Sequence, residues 1–366
     1  MPTPIPMRIC NLSLLFALTV LSLTAQPTPA QAAQQSSSPP VAVQTPAQAP
    51  SLSVDRDPVR SPDGEPAALP ALRKEGDGYV LHTDVDEVAL NCTVLDGNRM
   101  VPDLKKENFQ ILEDGVRQKI ISFQHTDLPV SIALVVDNSG SMARKRPSVN
   151  KSTLDLIAAS NPQDEAFVVN FSDEAFIDQE FTSDVNKLRA GLSHIEARGG
   201  TALYDAVAAS ADKLATDAKR PKQVIILITD GDDNASTLNL EQTIRRVQQL
   251  SGPVIYTIGL LFGEEDMSRD DVKKARRALE MLSTETGGMA FFPKNIEQVD
   301  QIAAEVARDI RNQYTLGYHS TKPTNEPGFR HVEVTAEGKG QGKLIVRTRT
   351  GYYPVSRVSK QTTPPR

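Results

Sequence analysis

Val130-Ser131-Ile132-Ala133-Leu134-Val135-Val136-Asp137-Asn138-Ser139-Gly140-Ser141 is the stretch that decides the fold. From Val130 to Val136 the run is apolar, broken only by Ser131, and it then stops at an acid followed by small polar residues. An unalternating apolar run of this length suits a parallel strand buried on both faces. In open α/β sheets, ligands bind at the carboxyl ends of such strands. The polar stop is therefore a candidate site as well as a strand end.

Downstream the pattern repeats. Ala166 to Phe171, Gln223 to Thr229, Val254 to Ile258 and Gly288 to Phe292 read as further buried strands, and Phe176 to Phe181 as an antiparallel edge. Helical spacing fills the intervals at Thr201 to Ala218, Leu240 to Leu250, Val272 to Glu285 and Ile296 to Tyr314. Strands alternating with helices predict a doubly wound, mostly parallel α/β domain over residues 128–315.

The flanks read differently. Val85 to Val94 and Phe109 to Leu112 are short β runs, and Glu113-Asp114-Gly115 is a turn before the returning strand Val116 to Phe123. After the α/β domain, His331 to Val334 and Leu344 to Arg347 are again strands. Neither flank is large enough for a comfortable core alone. Residues 78–127 and 316–357 are therefore expected to pair into one small β-sandwich, with the α/β domain inserted between them.

Outside these spans the chain looks non-globular. Residues 1–32 combine a lone Arg8, an apolar run from Leu12 to Leu23 and the small-x-small Ala30-Gln31-Ala32, as in a secretory signal. An uncleaved N-terminal anchor is the alternative, and only then would the chain be held at a membrane. Residues 33–77 are rich in Pro, Ser, Ala and Gln and read as a disordered tether, and 358–366 as a disordered tail. The expected location is periplasmic or secreted. Cys10 leaves with the signal, so Cys92 stands alone, as a small buried residue in a strand. With 39% hydrophobic residues and a net charge of −6, a core is assured, and no Lys/Arg cluster suggests a nucleic-acid partner. Oligomeric state is not legible.

Two polar clusters end strands: Asp137-Asn138-Ser139-Gly140-Ser141 and Asp230-Gly231-Asp232-Asp233-Asn234. Between them Gly199-Gly200-Thr201 opens a helix. Two carboxylates and three hydroxyls are hard oxygen donors, suited to Mg²⁺, Mn²⁺ or Ca²⁺ rather than Zn²⁺.

This pattern resembles the metal-ion-dependent adhesion site of von Willebrand factor A and integrin inserted domains. The Asp-x-Ser-x-Ser motif, distant Thr and further Asp of that family fall on Asp137, Ser139, Ser141, Thr201 and Asp230. The resemblance implies a divalent cation, Mg²⁺ first, with Mn²⁺ or Ca²⁺ open. It also implies a protein partner that supplies a carboxylate to the cation, with Asn138, Gly140, Gly200 and Asp232 at the rim the partner would touch. Glu113-Asp114-Gly115, Leu316-Gly317-Tyr318 and Gly351-Tyr352-Tyr353 further resemble a bacterial exported subfamily. The expected function is an exported, non-catalytic adhesion or interaction module.

The competing readings are narrower. An EF-hand over Asp230 to Glu241 lacks its turn glycine, because Ala235 stands there. A phosphatase with Asp137 as nucleophile would want an acid where Ser139 stands. The five histidines are scattered, and only His194 lies near a candidate loop, as an exposed helix-end residue. Helix capping by Ser141 and Thr201 is the structural alternative for those hydroxyls. An envelope scaffold with a merely stabilising metal, or less so a metal-dependent hydrolase, are the alternative functions.

Overall fold

In a computed structural model of the chain, the first buried run forms a strand that passes through the middle of a six-stranded sheet. The structure describes residues 87–158, 161–194, 198–231, 233–250, 252–263, 268–323, 326–338 and 344–354. The expected signal (1–32), tether (33–77) and tail (358–366), and Asp232 of the candidate rim, lie outside them.

The chain enters through five short strands: β1 (Glu87–Asp96), β2 (Arg99–Met100), β3 (Phe109–Glu113), β4 (Val116–Gln118) and β5 (Ile120–Gln124). The α/β unit follows with β6 (Val130–Asp137), α1 (Arg146–Ala158), β7 (Glu165–Phe171), β8 (Ala175–Thr182), α2 (Val185–Leu192) and α3 (Leu203–Asp217). It continues through β9 (Lys222–Thr229), α4 (Leu240–Gln249), β10 (Val254–Gly259), α5 (Arg269–Thr286), β11 (Ala290–Phe291) and α6 (Val299–Arg311). The chain then returns through β12 (Tyr314–His319), β13 (Arg330–Ala336), β14 (Ile345–Arg347) and β15 (Gly351–Tyr352).

The central sheet runs β11-β10-β9-β6-β7-β8, parallel throughout except for the antiparallel edge β8. Side chains alternate across a strand, and both faces of β6 are covered. Ile132, Leu134 and Val136 pack toward α1, α2 and α6, while Ala133 and Val135 pack toward α3, α4 and α5. That double burial is why the run carries no polar alternation. α1 has little apolar periodicity, since Arg146, Ser152 and Thr153 are among its buried residues. The helix read over Ile296 to Tyr314 ends at Arg311. Tyr314 instead opens β12 and pairs with Cys92 in the flanking sheet, because its ring is buried there.

Strands from before and after the α/β unit interleave. One sheet runs β14-β1-β12-β5 with β2 beside β1, and another runs β15-β13-β3-β4. Both contribute to one hydrophobic cluster that includes Leu90, Cys92, Phe109, Ile111, Tyr314, Leu316, Val332 and Val334. Cys92 is fully buried there, and burial pushes its thiol up to about 12. A free thiol held this far from ionisation is a poor nucleophile.

The subfamily-like motifs have a structural explanation. Buried Glu113 accepts hydrogen bonds from Tyr318 (2.7 Å) and Tyr352 (2.9 Å) and from Ser320, with Arg330 at 3.6 Å. Asp114 accepts from the His331 amide at 2.9 Å and pairs with Lys322 at 2.6 Å. The three motifs thus meet in one polar hub, in which Tyr318 and Tyr352 reach Glu113 from more than 200 positions along the chain. A second hub joins the flank to the α/β unit: buried Asp309 on α6 accepts from Thr93 (2.9 Å), Tyr256 (2.7 Å) and Arg347.

At the same end of α6, Lys222 is buried and donates to the Ile310 carbonyl. Arg311 beside it pairs with Asp127 at 2.7 Å and with Asp164. Burial, and then the positive Arg311, push Lys222 down to about 7, against the weaker opposing pull of Asp309, Asp127 and Asp164. The folded protein therefore gives up this proton near pH 7, whereas the unfolded chain holds it to about 10.4. Between those values the unfolded state binds more protons, so stability should rise with pH. From pH 7 to 9 the gain should approach about 1.4 kcal/mol per unit. Urea midpoints should show this slope in the wild type and lose it in Lys222→Met. An unchanged slope in the variant would rule Lys222 out as its source.

Candidate functional site

β6 and β9 are parallel neighbours with Val136 beside Ile228, so Asp137 and Thr229 end their strands at the same level. The chain leaves β6 for α1 on one face of the sheet, and leaves β9 for α4 on the other. Loops that diverge in this way leave a crevice at the carboxyl edge. Asp137 and Asp230 both lie in it, and both are buried.

Their oxygens are held in a short chain of contacts. Asp137 Oδ1 accepts from the Ser139 amide at 2.8 Å, and Oδ2 accepts from Thr229 Oγ1 at 2.5 Å. Ser139 Oγ lies 3.2 Å from Ser141 Oγ, and Ser141 Oγ donates to Asp230 Oδ1 at 2.8 Å. Asp230 Oδ2 accepts from Lys145 Nζ at 2.8 Å. Burial, with the charge of Asp230 adding to it, raises Asp137 to about 6, and hydrogen bonds from Ser139 and Thr229 limit the rise.

Thr201 reaches the crevice from the third loop. A Cβ on Gly231 would sit 3.6 Å from its Oγ1, which places that hydroxyl against the Asp230 loop. Two contacts fix the approach: Thr201 N donates to Asn234 Oδ1 at 2.8 Å, and Gly200 N donates to Asp173 Oδ1 at 2.6 Å. Gly199 sits in the left-handed region, at φ +81°. A Cβ on Gly200 would fall 2.5 Å from Asn234 Oδ1 and 2.9 Å from Asp173 Oδ1. Two glycines are what let the loop come this close.

Capping does not explain the hydroxyls. The N-cap of α3 is Ala202, which has no side-chain cap bond, and Ser141 lies inside a 3-10 turn spanning Gly140–Arg144. Asp233 and Asn234 accept from the amides of Tyr204 and Thr201, so the Asp230 loop turns toward α3 rather than closing on a cation as an EF-hand loop would.

The residues placed at the rim divide. Gly140 and Gly200 stand at the loops, with Gly140 exposed. Asn138 is buried, and its amide donates to the His194 carbonyl at 3.2 Å. Asn138 therefore holds the exit of α2 rather than offering itself to solvent. His194 Nδ1 lies 3.4 Å from Asp178.

Four residues around the crevice take roles that the strand-end pattern does not assign to them. Thr229 links Asp137 to the Gly231 amide at 3.2 Å, and Asp173 and Asn234 hold the Thr201 loop. Lys145 neutralises Asp230. Thr229 stands immediately before Asp230, so its place could have been inferred from the strand end. Lys145 and Asp173 carry no comparable signal, because only the fold sets their distance from the site.

The gathered donors are two carboxylate groups and the hydroxyls of Ser139, Ser141 and Thr201. This is a set of hard oxygens that fits a divalent ion of the Mg²⁺ class. Among the described residues no three His, Cys, Asp or Glu side chains gather where they could hold a metal, so a cation here would depend on the hydroxyls.

Residues 132–232 match the family described as von Willebrand factor type A domain. The chain is 26% identical over 264 residues to human inter-alpha-trypsin inhibitor heavy chain H4, covering 65% of this chain and 27% of that protein. It is 29% identical over 170 residues to the mouse calcium-activated chloride channel regulator 3A-1, covering 44% of this chain and 17% of the relative. The chain thus spans about a quarter or less of the length of these relatives. A solved von Willebrand factor type A structure from Catenulispora acidiphila is 12% identical, with a TM-score of 0.42, covering 76% of this chain and 75% of that one.

Proposed function

We propose that this chain, which carries a von Willebrand factor type A domain, is an exported interaction module that grips a carboxylate of a protein partner through a divalent cation. Domains of this type point to protein interaction or adhesion. The finer reading rests on one observation above all: Asp137, Ser139, Ser141 and Asp230 from two loops form one contiguous run of contacts in a crevice that the Thr201 loop also reaches. Ser139, Ser141 and Thr201 would hold the cation, with Asp137 and Asp230 direct or through water. When bound, the cation would supply an electrophilic position for an oxygen from outside. Mg²⁺ is the first choice and Mn²⁺ or Ca²⁺ the others.

Binding, not catalysis, is the use we assign to this position. The imidazole nearest in sequence, His194, is paired with Asp178, and Cys92 is buried in the flank. The Lys145–Asp230 pair also speaks against a purely structural metal, because Asp230 already has a cationic neighbour without one. On the same reading the two flanking sheets form a small sandwich carrying the A domain. The N-terminal segment would send the chain to the periplasm or beyond. Among the described residues no helix is long and apolar enough to cross a membrane.

The test is a crosslinking pull-down of the full chain from envelope extract, with and without EDTA. Capture should require the metal and be lost in Asp137→Ala with the fold intact by circular dichroism. Capture that survives both treatments would sink the proposal.

A further inference from the structure

Lys145 closes the 3-10 turn that begins within the Asp-x-Ser-x-Ser motif, four residues after Ser141. Its side chain turns inward. Nζ lies 2.8 Å from Asp230 Oδ2 and 3.3 Å from the Leu260 carbonyl, and 5.4 Å from the centre of the Phe262 ring. The residue is 9% exposed. Asp230 therefore faces two ways: Oδ1 toward Ser141 and the candidate cation position, Oδ2 toward a fixed ammonium. The next residue, Arg146, is wholly buried, donates to Asn170 Oδ1 at 2.7 Å, and feels the charges of Asp137 and Asp178.

We propose that Lys145 is a specificity-determining residue: a built-in counter-charge that weakens the cation's hold when it is alone and makes the loaded site demand an anion. This rests on the reading of the crevice as a cation site. The physical reason is charge. Asp137 and Asp230 bring two negative charges to the position, and a divalent cation would balance them. Lys145 adds a third positive charge on the back of one ligand. Like charges repel strongly where water is scarce, so the cation is bound less tightly than by the same oxygens without the lysine. The loaded site then keeps excess positive charge, which an incoming carboxylate neutralises. Cation and carboxylate each favour the other's binding, and such coupling is reciprocal. A site with this balance discriminates against neutral oxygen donors and selects acidic ones.

The alternative is that Lys145 only occupies Asp230 in the metal-free protein and swings away when the cation arrives. The enclosure of its ammonium by Asp230, the Leu260 carbonyl and the Phe262 ring opposes this. The two cases differ in what acetate does.

The experiment titrates Mn²⁺ into the full chain by calorimetry, without and with saturating acetate as the carboxylate probe. It compares the wild type, Lys145→Met, Lys145→Arg and Asp137→Ala, each checked for folding by circular dichroism. Lys145→Met should bind Mn²⁺ alone about tenfold tighter than the wild type or better. Acetate should then improve Mn²⁺ binding several-fold in the wild type and in Lys145→Arg, and much less in Lys145→Met. Equal or weaker Mn²⁺ binding by folded Lys145→Met overturns the proposal. So does an acetate effect of the same size in wild type and Lys145→Met, which is the signature of a lysine that merely leaves. If the wild type and Asp137→Ala bind Mn²⁺ alike, the cation site itself is misassigned, an outcome separate from the failure of Lys145. Should a folded Lys145→Gln behave as Lys145→Met does, the charge and not the shape is responsible.

Discussion

Asp137→Asn should abolish metal-dependent capture of a partner and, in EDTA, make the protein more stable than the wild type. Asp137 is fully buried, and its environment raises it to about 6 because burial and the nearby Asp230 disfavour its charge. The sign follows from linkage. The folded-state value lies above the unfolded one, so the folded protein holds this proton more tightly. Stability is then highest below about pH 4 with respect to this group, falls as pH rises toward 6, and stays lowered above it. A shift of this size corresponds to about 3 kcal/mol. Asparagine has the same shape and no charge. Its Oδ1 still accepts the Ser139 amide, and its amide group can donate to Thr229 Oγ1. The shift is already net of the charges around Asp137, so the gain should be no more than about 3 kcal/mol. Urea unfolding in EDTA should therefore favour the variant at pH 7.5 and show little difference at pH 4.5. A variant less stable than the wild type at pH 7.5 would remove the case that Asp137 is kept for binding at a cost in stability.

The second large effect lies in the flank. Glu113→Ala should destabilise the protein by about 3–5 kcal/mol, as removing one partner of a buried charge pair does. The carboxylate is fully buried and serves Tyr318, Tyr352, Ser320 and Arg330 at once. Its removal leaves the Tyr318 and Tyr352 hydroxyls in the interior without their acceptor and takes the counter-charge from Arg330, whose guanidinium keeps only neutral acceptors such as Ser320 Oγ and the Pro323 carbonyl. Burial and the neighbouring Glu113 push both tyrosines above their ordinary value, so they remain protonated donors at neutral pH. Glu113→Gln keeps the volume and one acceptor and should cost less, about 2 kcal/mol. Thermal melts of the two variants should fall in that order. Equal, small losses would mean that the hub is solvated and the motif has another purpose.

The α/β unit was legible from sequence for a definite reason. Strands buried on both faces have no polar face to present, so β6, β7, β9 and β10 appear as bare apolar runs whatever lies around them. α1 was less visible, because it buries Arg146, Ser152 and Thr153 and so lacks a clean apolar stripe. At the end of α6 the periodicity continued past the true stop, since Tyr314 is as apolar as a helix-face residue but belongs to the flanking core. The motifs around Glu113, Tyr318 and Tyr352 were visible as patterns and opaque as chemistry, because their partners are distant in the chain.

By itself the sequence determined the strand-end positions of Asp137 and Asp230, the hydroxyls around them and the hard-oxygen character of the set. These are local properties of residue type and period. Only the tertiary structure decided how charge is balanced there. It set Lys145 on the back of Asp230, Thr229 on Asp137, and Asp173 beneath the glycines of the Thr201 loop. It also turned Asn138 inward. Those relations depend on distances of a few ångströms between elements that the chain joins only by folding, and electrostatic energy depends on distance and burial rather than on order along the chain.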